Sequence, residues 1–218
     1  ISQKRPWASR ITSTRPQPTP QDLPDGAVTL THSASQDIVA NNTVACSADG
    51  LTADNGYLRT FTLEDFAVLS DFAVTEVSFG VEAVNLSPIT VTVRLYTLDA
   101  EPISYANLTE IGSADVTLDP QVLQMVTVPV SATAPAGSTL VVEIDAPDSR
   151  TTSGFFAGSN AAGESAPSYV RSATCGLPEP TPMAAAGFPS THLVMNVTGI
   201  ADAPDTQLPD WVEAAPTS

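Results

Sequence analysis

The chain has 218 residues, with 24 Asp and Glu against 8 Lys and Arg, a formal charge of −16 and a sequence pI near 4.1. A field this negative repels phosphate backbones and anionic lipid, so nucleic acid and acidic membrane surfaces are excluded as expected partners. Hydrophobic residues make up 42% and the mean hydropathy is +0.07, enough for a core, while no run of 18 apolar residues is present to span a membrane.

In chain order, residues 1–25 come first and read as an extended arm. Pro6, Pro16, Pro18, Pro20 and Pro24 remove backbone donors and break any helix. Lys4, Arg5, Arg10 and Arg15 give the first 21 residues a charge of +4 and leave −20 on the remainder. A basic arm on an acidic body predicts docking, either back onto itself or onto a neighbouring copy. The start at Ile1 reads as a processed or trimmed end.

Residues 26–200 carry a period of two, the mark of half-buried antiparallel strands. Apolar and small or polar residues alternate through Val77-Ser78-Phe79-Gly80-Val81-Glu82-Ala83. Ile89, Val91, Val93 and Leu95 share one face, opposite Thr90, Thr92, Arg94 and Tyr96. Val126, Val128 and Val130 repeat the pattern, as do Leu140, Val142 and Ile144 opposite Val141, Glu143 and Asp145. Leu193, Met195 and Val197 close the series. Turn residues punctuate these runs at Asp49-Gly50, Asn55-Gly56, Ala136-Gly137 and Pro147-Asp148. Leu63-Glu64-Asp65-Phe66 is expected to make a single turn, and no segment has a helical period. About eight to ten strands predict an all-β, antiparallel two-sheet sandwich of jelly-roll or Greek-key type.

Cys46 and Cys175 are the only cysteines, too far apart to resemble a clustered metal site, and are read as one disulfide. Closing a loop of about 130 residues, it contributes on the order of 4–5 kcal/mol in the chain-entropy model and implies an oxidising, extracytoplasmic compartment. Residues 201–218 form a second extended arm, with Pro204, Pro209 and Pro216. Both tryptophans lie in the arms, Trp7 in the first and Trp211 in the second, and are expected to act as interface anchors.

Catalysis needs a tuned base, a metal or an activated nucleophile. Neither His32 nor His192 sits in a recognisable motif, there is no HExxH, and Gly163-Glu164-Ser165-Ala166-Pro167 departs from GxSxG at its last position. No enzyme activity and no resident cofactor are expected. Asp49, Asp54 and Asn55 offer hard oxygens in a turn-rich loop, a candidate Ca²⁺ site whose plainer reading is ordinary turn formation. Tyr57, Arg59 and Phe61 fall on one face of their strand. Arg59 there needs a partner, either a core carboxylate or the hydroxyls of a bound glycan, with Tyr57 and Tyr96 as the aromatic part of a ligand face.

Cys46 and the core segments Asn55-Gly56-Tyr57-Leu58-Arg59-Thr60-Phe61, Val77-Ser78-Phe79-Gly80, Val91-Thr92-Val93-Arg94-Leu95-Tyr96, Ala136-Gly137, Gly158-Ser159-Asn160, Pro167-Ser168-Tyr169, Cys175-Gly176 and Gly187-Phe188-Pro189 carry a resemblance over roughly residues 40–200. In them the chain resembles a jelly-roll-like β-sandwich module of secreted, multidomain bacterial proteins, of the accessory or carbohydrate-binding kind. That resemblance implies a noncatalytic module. Together these readings predict a secreted structural protein, a filament, sheath or surface-layer subunit whose arms dock on neighbouring copies. The alternatives are a carbohydrate-binding or adhesive module and an accessory subunit of a larger extracellular complex.

Overall fold

The computed structural model describes residues 26–201, and within them the period-two pattern becomes strand almost throughout. Early in the chain come β1 (Ala27–Thr31), β2 (Ser47–Ala48), β3 (Leu51–Thr52) and β4 (Asn55–Thr62), followed by a 3-10 turn at Leu63–Phe66. The long strands follow: β5 (Phe72–Asn85), β6 (Ile89–Leu98), β7 (Leu108–Leu118), β8 (Gln121–Ala134) and β9 (Thr139–Ala146). The last part holds β10 (Gly154–Ala157), β11 (Ser159–Asn160), β12 (Ser168–Ser172), β13 (Leu177–Pro182), β14 (His192–Leu193) and β15 (Met195–Ala201). Ten of these have five residues or more.

The fold is an all-β antiparallel sandwich. One sheet runs β13-β12-β4-β9-β6-β7; the other is built on β5, in the order β1-β15-β5-β10, with β8 also paired to β5. Successive long strands change sheets at β4–β5, β5–β6, β7–β8 and β8–β9, so the alternation of each strand is read by a different neighbour. Val91, Val93 and Leu95 from β6 and Leu140, Val142 and Ile144 from β9 turn inward, facing Val77, Phe79 and Val81 of β5 and Val128 and Val130 of β8. Tyr57 and Phe155 meet edge to face with centroids 6.0 Å apart, and Phe155 meets Phe79 at 6.5 Å. Aromatic pairs in this arrangement add about 1 kcal/mol each beyond the area they bury.

The Cys46–Cys175 disulfide is formed, with its Cα atoms 5.8 Å apart and 129 residues of sequence separation. It ties the segment before β2 to the 3-10 turn Ala173–Cys175 after β12, closing one end of the sandwich.

The sheet edges differ in how they are protected. Strand β13 carries Pro178, Pro180 and Pro182, which leave few backbone donors for a further strand. Strand β7 presents Glu110 and Asp115, and β1 is only five residues long. Strand β8 is the least protected: its 14 residues hold no charged side chain and a single proline, Pro129, beside a register shift against Val74 and Glu76 of β5 and a positive φ at Leu123.

Candidate functional site

The three residues expected to form a ligand face do not share one. Tyr57 and Arg59 point into the sandwich and are 0% exposed, while Tyr96, on the outer side of β6, pairs across the ladder with Val141 and is 7% exposed. The expectation of a joint Tyr57–Arg59–Tyr96 sugar surface is therefore corrected. The reason is that β4 is buried on both faces, Leu58 as completely as Tyr57, so its alternation does not say which face is open.

Arg59 has found a carboxylate. Its Nη2 lies 2.8 Å from Glu164 Oε2 and donates to the Leu193 carbonyl at 2.6 Å, and Nη1 donates to the Ala166 carbonyl at 3.4 Å. Burial pulls the guanidinium down to about 10, with Glu164 acting in the opposite direction. The pair joins β4 to the loop before β12, and Ser168 completes it by donating its hydroxyl to Glu164 at 2.6 Å.

The outer face of the six-stranded sheet holds a second polar network that the sequence reading did not single out. Glu143, 1% exposed, accepts hydrogen bonds from Tyr96 at 2.9 Å and from Tyr105 at 2.5 Å. Arg171 reaches over β4 to Glu143 at 3.3 Å, to Asp145 at 2.5 Å and to Asp54 at 3.1 Å, and Arg94 binds Asp145 and Glu110. This crossing depends on Gly56, where an added Cβ would fall 2.7 Å from the Arg171 side chain. Burial and then the Glu143 charge push both tyrosine hydroxyls well above their ordinary range. Burial alone would lower Arg171, but Tyr105, Glu143 and Asp145 hold it above its ordinary range. Every acid here is matched by a donor, so the network fastens β4, β6, β9 and β12 to one another.

The Asp49–Asp54–Asn55 loop is likewise committed to the fold. Asp49 occupies the β2–β3 turn at φ 51°. Asp54 accepts the Ala173 and Thr174 backbone N–H groups as well as Arg171. Asn55 is buried, its oxygen accepting the Cys46 N–H at 2.7 Å and its amide donating to the Ala53 carbonyl at 2.9 Å. Among the described residues no group of three or more His, Cys, Asp or Glu side chains is placed to hold a metal ion. His32 is also engaged: Ser165 lies 2.7 Å from its Nδ1, and its Nε2 is 3.0 Å from the Thr60 carbonyl, an arrangement that fastens β1 to the 161–167 loop.

Two features remain open. The first is an apolar cavity of about 440 Å³ beside the disulfide, walled by Val44, Val170, Leu177, Ala186 and Phe188. Ser172 lines it, is 2% exposed, and has no hydrogen-bond partner for its hydroxyl. Phe188 stands at its rim, 42% exposed. The second is the outer part of β8. Among the described residues β5 is the one strand paired with it, and β7 approaches closely where Gly112, lacking a Cβ, passes the Ser131 carbonyl. Toward its start β8 is uncovered, with Val122 63%, Leu123 43% and Met125 41% exposed, and Leu86 at the neighbouring turn is 75% exposed. Both features lie at the same end of the sandwich: Asn85, closing β5, donates to Gly50 between β2 and β3, and Gln121 pairs with Val84. The arm residues Lys4, Arg5, Trp7, Arg10, Arg15 and Trp211 fall outside the described residues.

No family model and no curated protein matches the chain. Among solved structures, one described as the cysteine protease and lectin-like domains of Cwp84, a surface layer associated protein of Clostridium difficile, aligns at 12% identity with a TM-score of 0.43, covering 69% of this chain and 33% of that one. The chain thus spans about a third of that structure's length.

Proposed function

We propose that this chain is a non-enzymatic extracellular assembly subunit whose terminal arms dock on neighbouring copies. The observation that carries this reading is the open edge of β8, 14 residues without a charge and with Val122, Leu123 and Met125 exposed. Uncharged long edges offer a row of free N–H and C=O groups to any extended segment, and soluble proteins ordinarily blunt them with charge, proline or brevity, as β13, β7 and β1 do here. An extended arm from a neighbour would add a strand to β8, gaining main-chain hydrogen bonds and covering the apolar side chains. Head-to-tail contacts of this kind propagate unless the rotation between subunits closes a ring. The disulfide supports an oxidising compartment. Among the described residues no helix is long and apolar enough to cross a membrane.

Val122→Lys and Met125→Lys place charges on the open edge, at exposed positions where the fold tolerates them. Sedimentation of each variant should show the oligomer population falling while the thermal unfolding temperature stays near that of the parent. Unchanged oligomers would remove β8 as the assembly edge.

A further inference from the structure

The cavity beside the disulfide has a composition that selects its occupant. Its walls are mostly apolar, aliphatic side chains and the Cys46–Cys175 disulfide with Phe188 at the rim and Asn55 and Ser172 as the polar side chains, and its volume of about 440 Å³ is that of a site for a small organic group. Of its polar side chains, Asn55 has both ends of its amide satisfied within the fold, whereas the Ser172 hydroxyl is buried and unpaired. The complementary group is therefore large and apolar, with one polar atom to pair with a hydroxyl that can donate or accept, and outside residues 26–201 the chain's only aromatic side chains are Trp7 and Trp211. An aliphatic or phenyl side chain would fill the space and leave Ser172 unpaired. A carboxylate or ammonium group would lose its hydration against walls that offer no counter-charge. An indole meets both demands, since its Nε1–H is its only polar group and its ring can meet Phe188 edge to face.

The chain has two indoles, and charge separates them. Trp7 sits among Lys4, Arg5 and Arg10, whereas residues 202–218, which contain Trp211, hold Asp202, Asp205, Asp210 and Glu213 and no Lys or Arg. The described residues contain 18 Asp and Glu against four arginines. A body of that charge attracts the first segment and repels the second. We infer that this cavity is the socket for Trp7 of a second copy of the chain. The inference rests on the assembly reading and adds its anchor: the side chain seats in the socket at the same end of the sandwich as the open part of β8.

The test uses the full-length chain carrying Trp211→Phe, so that Trp7 is the only tryptophan. Its emission and its quenching by acrylamide are followed across a dilution series, alongside sedimentation. Trp7 should be blue-shifted and protected where oligomers form and become exposed on dilution. Ala186→Leu, which fills the socket, should abolish the protection. Ser172→Ala, which removes only the hydroxyl, should raise the concentration at half-protection about three- to tenfold, the loss of one hydrogen bond. If Ala186→Leu fails to fold, the Ser172→Ala shift still decides the matter. Oligomers that form with Trp7 exposed, or with protection unaffected by Ser172→Ala, overturn the socket and leave assembly standing. Loss of assembly through Trp211→Phe itself, while the parent chain assembles, moves the anchor to the acidic arm and overturns the assignment. Protection independent of concentration makes the contact intramolecular and overturns the second copy. No oligomers from the parent chain at any concentration would sink the assembly reading and the inference with it.

Discussion

Ser172 and Arg59 are both buried polar residues of the interior, and they respond oppositely to removal of their polar contacts. Ser172 has no partner for its hydroxyl, so in the dissociated protein its burial is a cost without a return. Ser172→Ala is therefore expected to leave stability unchanged or raise it by up to about 1 kcal/mol in urea unfolding of dilute protein. Arg59 has a charge to lose, and Glu164→Ala would strand it inside the sandwich. That substitution should cost about 3 kcal/mol, the usual range for breaking a buried pair being about 3–5 and the Glu164 side chain retaining 17% exposure. A cost below 1 kcal/mol by the same measurement would mean that water replaces the carboxylate.

His32 gives stability a pH dependence of defined sign. Burial first, and the neighbouring Arg59 charge second, lower its pKa in the folded protein. The unfolded chain then binds a proton more readily than the folded one, starting near the ordinary histidine value of about 6.5. This contribution is fully present above that pH and is lost as the pH falls below it. Urea unfolding from pH 8 down to pH 5, each point compared with His32→Gln, should show a parent-specific decline on the acid side. A parent curve parallel to that of the variant would show that His32 is not responsible.

At the scale of elements, the sandwich is fastened at two places the core does not reach. Gly56 lets Arg171 cross β4 to Glu143 and Asp145, so Gly56→Ala should displace the guanidinium and lower the unfolding free energy by about 2 kcal/mol. The disulfide spans 129 residues of sequence, and its removal by Cys46→Ala with Cys175→Ala should cost about 5 kcal/mol in the chain-entropy model. The same double variant takes away one wall of the socket, so it should also weaken Trp7 protection.

These elements show where the sequence was legible. Alternation in β6 and β9 located Val91, Val93, Leu140 and Val142 in the core correctly, because the opposite parity is open to solvent at Thr90 in β6 and marked by the polar Glu143 and Asp145 in β9, and Leu63–Phe66 makes the single turn expected of it. Alternation placed Tyr57 and Arg59 together as well, but both faces of β4 are dry, and parity cannot then tell core from surface. The Arg171 network was half visible, since Glu143, Asp145 and Arg94 fall on the polar parity of their strands. What sequence could not supply was the register, with Arg171 opposite Gly56 and Gly56 opposite Asp145, which is a property of three strands distant in the chain. The socket is less legible still. It gathers Val44, Val170, Leu177, Ala186 and Phe188 from four separate stretches, and nothing in the sequence of β12 separates the unpaired Ser172 from the paired Ser168.

For the whole molecule, charge sets how copies meet. The first 21 residues carry +4 and the rest of the chain −20. Attraction between unlike charges at an exposed interface is screened within about 8–10 Å at ordinary salt. Assembly is accordingly expected to weaken as sodium chloride rises, with β8 contacts and the indole providing the part that salt does not remove. Assembly through the first arm is tested most directly by sedimentation of the chain lacking residues 1–25 beside the full chain, across a range of concentrations. The full chain should form oligomers, and the shortened chain should sediment as a folded monomer with the same thermal unfolding profile. Oligomers of unchanged size and affinity in the shortened chain would contradict assembly through that arm.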